Sequence, residues 1–551
     1  VVPALTSALL LWFAFPPAGR GYLAWVALVP LFLLVRSERS RRSIYFGAWV
    51  GGLAFWLLAV YWVWETDSSA WLAWVVLAAF LSLWWPAFLL LVRPAVRVLR
   101  LPLMIAAPIV WVALEYARAH ILTGLPWYYL AHSQYRYIPL IQIADLTGAW
   151  GLSYLVAMAN AWGVDLLTYP LARGGRVSRA QLARALVMAG ALLATVGYGL
   201  ARVATAPSRE GPRVALLQSN FEQRLKNSLD SETIIGTYQR LADRALEAGG
   251  RPDLVVWPET SYPRGYPVIG SEVDDRILDK LAKMIHPRGT ADFWRREKVA
   301  TVNAEVRHWI DLHGIPMLVG TVVYDFQPGG YSRYNAALFF PPGGGPVQTY
   351  YKIHLVPFGE YVPLIDAFPW LTRLTPYHGE SVPSLAFGTR PVGFDWKGWR
   401  FATAICFEDT VPHVVRRFFT EMPDGRRPDV LLNISNDGWF HGSAELDMHL
   451  AISVFRAVEH RVPLARAVNT GISALIDGNG RILEALPKLQ QGVLVHSVPL
   501  DGRSTRYTAW GDWFALGCLA VTIGLVVVGG VRRVGRPGET VAISPGLPKG
   551  P

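Results

Sequence analysis

Two kinds of hydrophobic pattern share the chain. Near-continuous apolar runs fill its first part, at residues 2–15, 21–35, 44–64, 70–92, 101–117, 148–171 and 185–204, and another occupies 513–530. Several approach the ~20 residues that a helix needs to cross the hydrocarbon core. The first two are short enough to form a re-entrant pair instead. From 212 to 503 the pattern changes. Short apolar or β-branched runs such as "RVALLQ" (213–218), "DLVVWPE" (253–259), "IPMLVGTVV" (315–323), "RFATAICFE" (400–408) and "DVLLNIS" (429–435) alternate with amphipathic stretches. Strands interspersed with helices, the latter predicted over 231–249 and 445–461, indicate an α/β or α+β layered domain. The segment 284–302 interrupts this pattern as an insertion, expected to be a mobile flap. The predicted organisation is a membrane bundle of about seven helices over 1–205, a globular domain over 212–503, one transmembrane helix over 506–531, and a Gly/Pro-rich tail over 532–551 expected to be disordered.

Composition sharpens this. Hydrophobic residues make up 52% of the 551 and charged residues only 17%, against about 25% charged in an ordinary soluble domain. The net charge of +11 suggests a nucleic-acid binder only if the basic residues share a soluble face. They do not. "RSERSRR" (36–42), "RPAVRVLR" (93–100), "RGGRVSRAQLAR" (173–184) and "RRVGR" (532–536) lie between or beside apolar runs, while the alternate loop "ETDSSA" (65–70) is acidic. The positive-inside rule makes the basic loops cytoplasmic. Both termini then lie inside, the 212–503 domain lies outside, and no nucleic-acid partner is implied. The first apolar run lacks a small-residue cleavage site and reads as retained, not as a signal peptide. The outer ends are rich in Trp and Tyr, as suits the headgroup layer. The loop after Ala117 adds Arg118, His120, Trp127, His132 and Arg136, a candidate pocket for a phospholipid headgroup.

The chain has 2 cysteines. Cys518 sits in an apolar run, so no disulfide framework is expected, and no Cys/His cluster has metal-ligand spacing. Three stretches end an apolar run on a reactive side chain: "VVWPET" on Glu259, "YYKIHLVPFGEYVP" on Lys352 and Glu360, and "AICFED" on Cys406, Glu408 and Asp409. A thiol at neutral pH is mostly protonated, so as a nucleophile it needs a base and a nearby cation. Glu259 can be the base. Lys352 can favour the thiolate and then the oxyanion of an attacked carbonyl. Each residue alone has a plain structural reading: a buried cysteine as packing, a glutamate at a strand end as a solvated group, "FGE" as a turn. Their joint occurrence in the order Glu, Lys, Cys favours chemistry.

Together these motifs resemble the nitrilase superfamily. With the apolar segments on either side they resemble, within it, the apolipoprotein N-acyltransferase family. "EYARAHILTGLPW" (115–127), "ADLTGAWGLSYLVAMANA" (144–161), "NISNDGWF" (433–440) and "FRAVEHRVPLARAVNTGIS" (455–473) extend the likeness over nearly the whole chain. The resemblance implies an integral membrane α-helical bundle of about eight transmembrane helices with an extracytoplasmic nitrilase-like αββα sandwich. It also implies a Glu259–Lys352–Cys406 triad, an assisting Glu360 and a supporting Glu408. The implied reaction moves an acyl chain from a membrane phospholipid, through a cysteine thioester, to the amine of a diacylglyceryl apolipoprotein, with no cofactor or metal. The chain departs from the family's pattern where Phe407 replaces the usual Tyr, where Asn227 stands at an expected Trp, and where "AHSQ" (131–134) replaces "GYSQ". A membrane-tethered amidase is the alternative enzyme; a binding protein built on an inactive nitrilase fold is the non-enzymatic one.

Overall fold

The structure, a computed structural model, describes residues 1–168, 178–207, 209–223, 226, 229–365, 367–374 and 384–534. The tail beyond 534, part of the basic loop at 173–184 and Asn227 lie outside the described residues. Three helical stretches among those described are long and apolar enough to cross a membrane: Arg41–Glu65, Trp71–Arg97 and Arg179–Ala204. Shorter apolar helices cover Val2–Ala14, Gly21–Arg36, Ile138–Thr147 and Trp513–Gly529. Fewer long helices than apolar runs emerge, for two reasons. The first two runs fold back on each other, with the Leu31 N–H donating to Ser7 Oγ at 2.9 Å. The helices Leu103–His120 and Ala149–Thr168 carry buried Glu115, Arg118 and Asp165 and are enclosed by their neighbours.

The domain that follows contains two sheets. One has the order β13–β1–β2–β4–β5–β6, with β3 paired to β4. Its strands are β1 (Arg209–Gln218), β2 (Leu254–Val256), β3 (Tyr262–Ile269), β4 (Met317–Gln327), β5 (Gly330–Phe340), β6 (Gln348–Tyr351) and β13 (Gly492–Leu500). The other runs β12–β11–β10–β9–β8–β7, from β7 (Gly393–Trp396), β8 (Trp399–Ile405), β9 (Val430–Ser435), β10 (Leu464–Val468), β11 (Ala474–Ile476) and β12 (Ile482–Ala485). Alternation along β1 assigns the faces. Val214 and Leu216 join the core shared with the second sheet. Ala215 and Leu217 join Ile234, Tyr238 and Leu241 of the helix Ser231–Glu247, which starts where Asp230 caps the Thr233 N–H. On the second sheet lie the helices Pro412–Thr420 and Ala444–His460, giving the αββα layering. All but two of the side chains from Ala444 to His460 are buried, because this helix sits between the sheet and the membrane bundle and needs no polar face.

Ion pairs fasten this seam. Arg461 is fully buried and donates to Asp145 Oδ2 at 3.0 and 2.7 Å and to Gln142 Oε1 at 2.6 Å. Asp145 also takes Arg202 at 2.8 Å, while Trp150 of the bundle donates to Asp512 Oδ1 at 2.8 Å. The segment 284–302 is helical and anchored, not a free flap. Its Trp294 is buried against Tyr324 and Phe326, each at 5.1 Å. Replacing Asp145 with Asn strands the Arg461 charge, a loss of about 3–5 kcal/mol for a broken buried pair. A clear fall in Tm of the detergent-solubilised protein is expected; an unchanged Tm would show that the seam is held by apolar packing alone.

Candidate active site

Strand ends deliver the reactive groups. β8 stops at Ile405, and Cys406 takes a positive φ of 51° at the start of a short turn. That conformation is costly for a residue with a side chain and turns the thiol out of the sheet. The turn is pinned by Glu408, fully buried, whose carboxylate accepts the Ile405 N–H at 2.7 Å, the Ile353 N–H at 2.7 Å, the His354 N–H at 3.0 Å and the Tyr350 hydroxyl at 2.9 Å. Glu408 therefore ties the nucleophile's turn to the chain on either side of Lys352. Its carboxyl is pushed up to about 7 by burial, against the hydrogen bonds that favour the anion.

Lys352 follows β6 and is 1% exposed. Its Nζ lies 3.3 Å from Glu259 Oε1 and 2.8 Å from Glu360 Oε2. Asn335, from β5, donates to Glu259 and to Glu360 at 2.7 Å each. The backbone N–H of Asn436, beyond β9 in the other sheet, donates to Glu259 Oε2 at 2.9 Å. Glu259 reaches this position by a tight turn after β2. That turn passes so close to Gly320 that a Cβ there would sit 2.3 Å from the Pro258 carbonyl oxygen. Only glycine permits this approach.

The electrostatics divide the labour. Burial works against the Lys352 charge, but Glu360, Glu259 and Cys406 outweigh it and hold the ammonium well above the usual lysine range. Burial and the Glu259 carboxylate push the Cys406 thiol up, with Lys352 and Ser435 pulling the other way. The resting group is therefore a thiol beside a carboxylate and a buried cation. Lys226 also approaches this acid: its Nζ donates to Thr260 Oγ1 at 3.1 Å, and burial lowers it to about 8 while Glu259 raises it.

The structure thus brings Glu259, Lys352, Cys406, Glu360 and Glu408 together, with the Phe407 ring stacked 5.7 Å from His354. It does not bring the outer-loop residues there. Arg118 is buried, donates to the Leu125 and Trp127 carbonyls and lies over Trp56 and Tyr129 at 5.0 and 5.6 Å. His132 accepts the Tyr129 N–H at 3.3 Å and packs on Phe455, and Trp127 packs between Trp62 and His449. Arg118 thus finds its partners within the bundle, while the His132 and Trp127 rings meet Phe455 and His449 of the second domain. Arg136 caps a separate apolar groove beside Trp25 and Leu192. Sequence reasoning missed Asn335, Asn436, Lys226 and Tyr350. The signal for the first was a buried polar residue in an apolar strand, "YNAALFF".

Among the described residues, Asp437, Glu445 and His449 bring ligand-type atoms within 4.8 Å of one another. Burial and Arg466 oppose a charge on His449, but Asp409, 2.7 Å away, and Asp437 raise it to about 10. His449 lies 2.7 Å from Asp409, 3.5 Å from Asp437 and 3.7 Å from Glu445, and Arg466 reaches Asp409 at 3.0 Å, so these groups form a buried ion-pair network.

A Glu–Lys–Cys cluster at the strand ends of an αββα sandwich defines the carbon–nitrogen hydrolase class, and the family described as carbon-nitrogen hydrolase matches residues 213–507. Residues 7–162 match the apolipoprotein N-acyltransferase N-terminal domain. An apolipoprotein N-acyltransferase of Geobacter metallireducens is 33% identical over 94% of this chain and 92% of its own. One of Azotobacter vinelandii is 31% identical over 98% and 96%. A solved amidase of Nesterenkonia sp. covers 54% of this chain and 94% of its own, at 19% identity and a TM-score of 0.35. The chain belongs to the apolipoprotein N-acyltransferase family.

Because Glu259 raises the thiol, Glu259→Gln removes a negative charge beside Cys406 and lowers its pKa. The pH profile of Cys406 alkylation by iodoacetamide should shift to lower pH in that variant and to higher pH in Lys352→Met. An unmoved profile in both would show that the sulfur does not feel these charges.

Proposed function

We propose that this chain transfers an acyl group from a membrane phospholipid to the α-amine of a diacylglyceryl-cysteine at a lipoprotein N-terminus. The supporting observation is the buried Lys352 ammonium held between Glu259 and Glu360 beside a thiol on a strained turn, in a domain fastened to an apolar bundle. Glu259 takes the thiol proton as Cys406 Sγ attacks the sn-1 ester carbonyl. Lys352 holds the oxyanion. The C–O bond then breaks, the lysophospholipid alkoxide takes the proton from Glu259, and a thioester remains on Cys406. The acceptor amine attacks this thioester, gives its proton to Glu259, and the thiol is restored as the amide forms. Glu360 and Asn335 keep Lys352 and Glu259 in register through the cycle.

The topology follows the same logic. Each buried methylene is worth ~0.8 kcal/mol, so a long acyl chain resists leaving lipid for a distant soluble site. In this reading about eight helical passes, with both termini cytoplasmic, hold the αββα domain over the outer leaflet of a bacterial inner membrane, where both substrates arrive sideways. Phe407 supplies a ring beside the nucleophile without a hydroxyl, so no step requires a phenol there.

The full-length protein incubated with phospholipid and no acceptor should carry a fatty-acyl mass on Cys406, removable by hydroxylamine. Cys406→Ala should abolish it, and Lys352→Met should slow its formation by about 10²–10³, the usual cost of a lost oxyanion donor. Ammonia release from small amides with no acyl adduct would instead mark the chain as a tethered amidase.

A further inference from the structure

Of the outer stretch that holds Arg118 and His132, one residue points elsewhere. His120, at the end of the helix Leu103–His120, is exposed and stacks on His413 at 5.0 Å and 28°. His413, exposed in the first turn of the helix Pro412–Thr420, meets His354 at 6.3 Å. His354 in turn stacks on Phe407, the residue after the nucleophile. Three imidazoles thus form a column from the rim of the membrane bundle to the neighbour of the reacting sulfur, with one contributed by the bundle and two by the catalytic domain.

His120 Nδ1 bonds the Tyr116 carbonyl at 2.8 Å. His354 Nε2 is enclosed and has no hydrogen-bond partner. His120, Arg417 and Arg456 oppose a charge on His413, and Asp512 favours it. His354 is held at about 4 by burial, His413 and Lys352. Asp512 is itself occupied by Trp150 and Tyr507.

We infer that His120, His413 and His354 form the subsite for the phosphodiester anion of the acyl donor's headgroup. This rests on the acyl-transfer reading above. The phosphate of a glycerophospholipid lies only a few bonds from its sn-1 ester, a span that suits a column beginning beside Phe407. An arriving anion favours the imidazolium forms and is bound by charge-assisted hydrogen bonds, so donor binding takes up protons and strengthens as pH falls.

The test compares two donors in mixed micelles with the full-length enzyme, following acyl-Cys406 by mass spectrometry: dioleoylphosphatidylglycerol and dioleoylglycerol, which has the same esters and no phosphate. For the wild type, KM for the phospholipid should fall as pH drops from 8 to 6, with little change for the diacylglycerol. The pair His120→Ala and His413→Gln should raise KM for the phospholipid about tenfold (about 1.4 kcal/mol), leaving kcat and the diacylglycerol kinetics unchanged. His413→Lys should keep KM low and flatten its pH dependence. Equal losses on both donors, or none on either, would overturn the subsite while acyl transfer stands. Competition by millimolar inorganic phosphate with no phospholipid KM change in the variants would assign the column to a soluble anion and overturn the lipid subsite. Absence of any acyl-Cys406 in the wild type would sink the acyl-transfer reading and this inference with it.

Discussion

One buried cation organises the site. Lys352 is almost wholly removed from water, and an isolated ammonium there would surrender its proton. Two carboxylates, Glu259 and Glu360, keep it charged. The same contacts fix Glu259, to which Asn335 and the Asn436 N–H also donate. The acid, the amine and the thiol come from chain segments far apart in sequence and from two different sheets. Loss of the cation would therefore leave two acids repelling each other next to a thiol that neither could activate.

A second constraint is geometric. Cys406 sits on a turn no relaxed strand would adopt, and the Glu408 carboxylate holds that turn by gathering donors from β8, from Tyr350 and from the segment after Lys352. This is why an acid two residues beyond the sulfur is structural in its contacts: it touches backbone, and it couples the cysteine's position to the lysine's. The bundle is coupled to the same framework through Arg461 and Asp145 and through a helix, Ala444–His460, buried on nearly every side. Chemistry and membrane attachment are thus parts of one packed body.

Much of this was legible in advance. Apolar runs, basic loops and the shift to short strands marked a bundle followed by a layered domain. The flanks of Glu259, Lys352 and Cys406 marked candidate reactive groups at the ends of apolar runs, and their resemblance to nitrilase motifs gathered them into one expected triad. Other features were not legible. Arg118 and His132 read as headgroup ligands because charges among aromatic residues at an apolar end suit an interface; that Arg118 meets the Leu125 and Trp127 carbonyls and the Trp56 ring, and His132 the Phe455 ring, depends on how the chain folds back. Trp294 made 284–302 an anchored helical element by packing on β4, a contact between segments with no shared periodicity.

The amino-acid sequence by itself determined the bundle, the layered domain and the identity of the reactive groups, since hydrophobic period and residue chemistry are local properties. Tertiary structure alone decided that Asn335 and Asn436 donate to the Glu259 carboxylate, that Arg118 is enclosed among bundle carbonyls and rings, and that histidines from two domains line up beside Phe407. Those outcomes rest on distances between residues far apart along the chain, and hydrogen bonds and charge interactions depend on distance in space, which no local pattern encodes.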